Sequence, residues 1–184
     1  MKSKTKDQLV RAFFELLKQY PLDKITVEMI LKQSNLSRRT FYSEYQNKYH
    51  LMAACYVYYV GELTKDEVAK ADLYGGMEKT LQFMSDNKQI FVNLFSGRAR
   101  EHFNKYLLSA YIHKTSEIYK EKKEVAQLSL HEAYSLELYN LGVVNCIELW
   151  VLRGMKLTPK EMTDVILDSM PEMLKKVMQA HFEY

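Results

Sequence analysis

Apolar residues recur at helical spacing along almost the whole chain, and short polar or Gly/Pro breaks divide that pattern into segments. Leu9, Phe13, Leu16, Leu17 and Tyr20 share a face of a first helix, which the capping-box pattern Thr5-Lys6-Asp7-Gln8 opens and Pro21 stops. Val27, Ile30 and Leu31 fall at i, i+3 and i+4 of a second helix, with Thr26 placed to cap it. The polar turn Ser34-Asn35-Leu36 follows. Ser37 can then cap a third helix that carries Arg38, Arg39, Thr40 and Tyr42 outward, with Phe41 and Tyr45, four apart, facing inward. Asn47 can cap a fourth helix that runs through an apolar stretch to about Thr64, and Gly75-Gly76 is expected to break the chain. Further helices are expected over 77–95, 98–122 and 127–153, punctuated by Gly97 and the charged stretch Lys120 to Glu124. Thr158-Pro159-Lys160-Glu161 opens the last helix as a capping box with proline at its first position, and Pro171 should kink or divide that helix.

Two short helices about a polar turn outline a helix-turn-helix, and the second of them opens on paired arginines. Cations sit badly at the positive end of a helix dipole, and a phosphate backbone or guanine edge nearby reverses that penalty. The segment from Ser34 to Leu51, SNLSRRTFYSEYQNKYHL, resembles the recognition-helix stretch of the TetR family of bacterial transcription regulators, usually written AGVSxGTxYxxFxxKxxL. Ser37, Thr40, Tyr42, Lys48 and Leu51 match. Asn35 replaces the turn glycine, Arg39 the glycine of the recognition helix, and Tyr45 the usual phenylalanine. Asparagine tolerates a left-handed backbone, so the turn survives, while Arg39 adds a side chain that can reach a base or a phosphate.

In this reading the recognition helix lies in a major groove. Arg38 and Arg39 are candidates for guanine O6 and N7, while Thr40, Tyr42 and Lys48 hold phosphates. Thr26 and Ser37, at helix starts, complete the DNA-binding set. One such helix makes few base contacts, so a twofold dimer on a palindromic operator belongs to the mechanism.

Composition narrows the class. Three prolines and six glycines in 184 residues, with abundant Leu, Met, Glu and Lys, argue for an all-α protein. The expected organisation is a three-helix reading head over residues 1–50 and a helical effector-binding and dimerisation bundle over residues 51–184. The longest apolar run, Leu51 to Val60, is half of what a membrane span needs, and the lysine-dotted start lacks the apolar core of a secretion signal. A cytoplasmic protein without membrane contact is expected. Cys55 and Cys146 sit among apolar neighbours, as buried free thiols do. Residues 1–50 hold ten Lys or Arg against five Asp or Glu. The cations Lys2, Lys4, Lys6, Lys32, Arg38, Arg39 and Lys48 collect on the arm and the two motif helices, as polyanion binding requires.

Residues 141–152, LGVVNCIELWVL, are apolar nearly all round and need cover on more than one side. They fit the centre of a monomeric bundle or a homodimer interface. The family resemblance implies the second, formed with the last helix, and the candidate interface residues are Val144, Ile147, Trp150, Val151, Val165 and Met173. The stretch Gly142 to Glu161 further resembles the C-terminal domain of one TetR subgroup. Tyr56, Tyr59, Phe83, Phe91, Phe95, Phe103 and Tyr106 fit either packed core or the lining of an apolar cavity. The resemblance implies a small-molecule effector in such a cavity, although some regulators of this type depend on a partner protein instead.

An enzyme would need a catalytic constellation. The chain has no Walker loop, GxSxG elbow, HExxH or CxxC, and His131-Glu132 lacks a second histidine. No cofactor, metal or catalytic residue is expected. A helical protein-interaction module would share the bundle but would not need Arg38, Arg39 and the basic arm.

Overall fold

The computed structural model describes residues 4–69 and 72–178, and every regular element among them is helical. α1 (Lys4–Leu17), α2 (Val27–Ser34) and α3 (Arg38–Glu44) form the head. α4 (Lys48–Tyr56), α5 (Glu62–Ala69), α6 (Leu73–Asp86), α7 (Lys88–Leu94), α8 (Arg100–Lys123), α9 (Leu130–Leu152), α10 (Pro159–Asp168) and α11 (Glu172–Met178) follow. This is the all-α architecture the sequence implies, a helix-turn-helix head followed by a helical bundle. Among the described residues no helix is long and apolar enough to cross a membrane.

Short polar residues set most boundaries. Thr26 accepts the Met29 amide at 3.2 Å, Ser37 the Thr40 amide at 3.1 Å, and Asn47 the Tyr49 and His50 amides at 2.9 and 3.1 Å. Each bond satisfies a donor that the first helical turn leaves free. Thr158 and Glu161 form a full capping box, and Pro171 divides α10 from α11. Thr5 already lies inside α1, whose start adjoins residues outside the described range, Lys2 among them.

Three boundaries differ from expectation. Gly75 and Gly76 do not break the chain, because Asp72 caps α6 by accepting the Gly75 amide at 2.9 Å and draws both glycines into its first turn. The break falls at Asn87, which leaves helical geometry and donates both its amide and its side-chain Nδ2 to the Phe83 carbonyl, at 3.1 and 2.9 Å. The fourth helix does not run unbroken to Thr64; a π turn (Val57–Gly61) joins α4 to α5.

α8 and α9 run antiparallel, as their cross-links require. The Lys123 ammonium donates to Glu132, Asn140 Nδ2 to Thr115 Oγ1 at 2.8 Å, and Asn104 Nδ2 to Glu148 at 2.6 Å. Lys123 first, then Ser129 and Tyr119, hold the Glu132 carboxyl well below the usual carboxylate range. A depressed folded-state pKa contributes stability that is complete above the ordinary carboxylate value of about 4 and is lost as pH falls below it. Thermal melts of wild type and Glu132→Gln should therefore differ near neutrality and converge on acidification.

Head and bundle share one continuous core. Phe14 of α1 stacks on Tyr59 at 4.0 Å, and Tyr49 of α4 stacks on His102 of α8 at 3.8 Å. The Leu22 amide donates to the Asn93 carbonyl at 3.1 Å, and Asn93 Nδ2 donates to the Leu17 carbonyl at 2.7 Å. Gly97, at φ +70°, lies so close to Asp23 that a Cβ would sit 3.0 Å from its carboxylate.

The expected dimer face needs correction. Val144, Ile147, Trp150 and Val151 are buried within the protomer, and the Trp150 indole donates to the Leu157 carbonyl at 3.0 Å. These side chains are core because α7 and α8 cover that side of α9 and the Tyr139 hydroxyl ties α9 to the Ile166 carbonyl of α10 at 2.9 Å. Met173 is half-buried and packs on the same core, and Val165 alone of the six is exposed. The opposite side of α9 carries Leu130, Tyr134, Leu138, Leu141, Leu149 and Leu152, all exposed, with Leu138 73% accessible.

Candidate DNA-reading surface

The angle between α2 and α3 is made locally. Asn35 adopts the left-handed conformation (φ 52°, ψ 40°), and the Leu36 amide returns to the Leu31 carbonyl at 3.3 Å. Asparagine is one of the few residues with a side chain that accept this backbone cheaply, which is how the turn forms without glycine. Leu36 is half-buried under the turn, while Phe41 and Tyr45 are buried against the head's core. Gln8 of α1 adds a tie that the sequence did not reveal, its Nε2 donating to the Ser34 carbonyl at 2.6 Å.

This packing leaves Arg38, Arg39 and Tyr42 on the outer face of α3. Arg38 Nη2 donates to Glu28 Oε1 of α2 at 2.8 Å, and its guanidinium lies 5.9 Å from the centre of the Tyr42 ring. Tyr42 meets the edge of Phe41 at 5.2 Å and remains half exposed. Arg39 is exposed, and among the described residues no ion pair engages it. The Ser37 and Thr40 hydroxyls are 2.8 Å apart at the helix start, and Thr26 stands exposed at the start of α2.

Lys48 departs from its expected role. Its ammonium does not point outward to a phosphate but donates to the carbonyls of Leu22, Asp23 and Ile25 at 2.8, 3.3 and 2.7 Å. Three carbonyl acceptors at the end of a bent loop offset part of the cost of burying the charge, and desolvation still lowers its pKa. Lys48 therefore locks the α1–α2 connection onto α4. Lys48→Met should weaken DNA binding and lower the melting temperature, yet leave the slope of log affinity against log salt as in wild type. A slope shallower by about 0.9 would mean that a phosphate contact was lost instead.

The expected effector pocket is closed. Tyr56, Tyr59, Phe83, Phe91 and Phe103, with Phe14, ring a void of only about 20 Å³, space for roughly one water. Phe95 packs on Phe103 at 5.0 Å and Tyr106 on Tyr56 at 5.8 Å, and neither lines the void. The cause is mutual filling: Tyr59 stacks between Phe14 and Phe83, and Phe83 meets Phe91 edge-on. Burial raises the phenol pKa of Tyr59 and of Tyr106 to about 12. Larger concavities are open grooves, one of about 370 Å³ between α8 and α9 and one of about 540 Å³ along α8. Among the described residues no group of three His, Cys, Asp or Glu side chains is placed to hold a metal.

A capped helix-turn-helix presenting two arginines, set on a helical bundle, defines the class of DNA-binding regulators. Residues 71–172 match the family model for the transcriptional regulator C-terminal region of TetR type, and the chain belongs to the TetR family of transcriptional regulators. Among curated proteins, none matches the sequence. The fold is similar to that of the dihydroxyacetone kinase operon activator DhaS, with a TM-score of 0.65 and 17% identity over 95% of this chain and 98% of that one. It is also similar to the fatty acid degradation regulator FadR from Bacillus halodurans, with a TM-score of 0.58 and 11% identity over the whole of both chains.

Proposed function

We propose that the chain binds duplex DNA as a homodimer on a palindromic operator and represses transcription from it. The observation that carries this reading is Arg39, an exposed cation in the first turn of α3, where a positive charge opposes the helix dipole and an incoming anion or guanine edge offsets that cost. Arg38 and Arg39 reach base edges, while Thr26, Ser37, Thr40 and Tyr42 contact phosphates. Selection of bound sites from a random duplex library tests this directly. Arg39→Ala should then weaken the selected site by about 1–3 kcal/mol and relax preference at one position per half-site. Unchanged sequence preference would remove Arg39 from the reading set.

For the dimer, the outer stripe of α9 replaces the buried residues first expected. Leu130, Tyr134, Leu138, Leu141, Asn145, Leu149 and Leu152 follow one another in steps of four and three, the spacing of a helix-helix seam. Gly142, exposed beside them, supports the same face. A glycine inside a helix costs about 1 kcal/mol, and a Cβ there would meet nothing of this chain within 4 Å. Close approach of a second copy gives that glycine a purpose.

A second reading is favoured by the closed core. With the aromatic cluster filled rather than hollow, control would come from a partner protein, and the regulator could activate, as the name of DhaS says of that protein. Transcription in vitro from a promoter bearing the selected operator separates the two: added protein lowers RNA yield in the first case and raises it in the second.

A further inference from the structure

The head places an acid where DNA binding alone would forbid one. Of its carboxylates, Glu44 pairs with Lys6 at 3.5 Å and Asp23 faces Gly97, so neither meets the cations of α3. Glu28 does. It stands in the first turn of α2, where a negative charge suits the helix dipole. From there its Oε1 accepts from Arg38 Nη2 at 2.8 Å across the turn, with the Tyr42 ring 5.9 Å away on Arg38's other contact. Glu28 and Arg38 are both largely exposed, so their pair adds little to folding. On a polyanion, however, a carboxylate on the reading face repels phosphate, and an arginine tethered through one nitrogen loses the freedom to swing onto the backbone.

Building on the DNA-binding reading above, we propose that Glu28 is a positioning residue for sequence discrimination: it holds Arg38 for a guanine edge and keeps that guanidinium off the phosphates. Arg39, which has no such partner among the described residues, is the freer of the two arginines. The arrangement exchanges non-specific grip for selectivity. An unrestrained Arg38 would find a phosphate in every sequence, whereas a restrained one gains its contacts only where O6 and N7 are presented.

The test measures wild type, Glu28→Gln, Arg38→Ala, Arg38→Lys and the Glu28→Gln/Arg38→Ala pair against the selected duplex and a random-sequence duplex over a range of salt. Glu28→Gln should bind random duplex more tightly, with a salt slope steeper by about 0.9, one more phosphate engaged. Its ratio of selected to random affinity should fall at least about fivefold, the lower bound for losing one bidentate base contact. Arg38→Lys should lose the ratio as well, because an ammonium lacks the planar fork. The double variant should show the ratio of Arg38→Ala alone, since Glu28 acts through Arg38. A Glu28→Gln protein with wild-type ratio and slope overturns the proposal, as does a double variant whose losses simply add. A wild type that prefers no duplex would overturn the DNA-binding reading itself, and this inference with it.

Discussion

A chain carrying Leu138→Glu together with Leu141→Glu should be a folded monomer that has lost nearly all operator binding. Both leucines are exposed in the protomer, so their replacement leaves the intrachain core intact. Across the proposed twofold axis the same glutamates would be buried without partners, at a cost of several kcal/mol per charge, which is more than a seam of this kind withstands. Separated heads then bind half-sites singly, and operator affinity should fall by a factor on the order of 10² or more, because the second head no longer binds at high effective concentration. Light scattering and a mobility-shift titration read the two effects. A double variant that stays dimeric places the seam elsewhere. Ile147→Glu should behave differently: Ile147 is fully buried inside the protomer, so a charge there should leave insoluble protein rather than a monomer.

Phe103→Ala should lower the free energy of unfolding by about 3–5 kcal/mol, a large share of what a domain of this size has. Phe103 is inaccessible to solvent, meets Phe95, Phe91 and Tyr56 at ring distances of 5.0, 6.4 and 6.0 Å, and borders the small void. Removing its ring would join that void to a new one large enough for a small apolar probe, so xenon or benzene should bind the variant and not the wild type. Urea unfolding measures the first effect. A loss under about 1 kcal/mol would show that the neighbouring rings collapse into the gap, and that the aromatic cluster is more adaptable than its packing indicates.

The helix-turn-helix was legible because each of its signals is local. Thr26, Ser37 and Asn47 cap the helices that follow them, and Asn35 takes the one backbone conformation its type tolerates better than most. The face of α9 was not legible in the same way. Between residues 141 and 152 apolar side chains point in all directions, so only the neighbouring helices decide which side is core. The longer stripe from Leu130 to Leu152 holds a seam-like spacing that a window confined to residues 141–152 cuts short. A count of aromatic residues likewise carries no information on whether they enclose space or fill it. Lys48 shows a third limit: its three acceptors lie more than twenty residues away in sequence and come together only when α1 and α4 pack.

The fastening of the α1–α2 connection has a mechanical consequence. Lys48 grips it from α4, Asn93 clasps its start and its middle from α7, and Gly97 lets Asp23 nestle against the turn before α8. A hinge placed there would have to break several partly buried hydrogen bonds at once. The reading head is thus keyed to its bundle as a gear is keyed to a shaft, and in the proposed dimer a displacement of α7 or α8 would carry the head with it rather than bend the connection. If the proposed α9 seam forms, control would consist in setting the pitch between two stiff protomers, and a change of a few degrees there would be magnified at the far ends where the arginines lie.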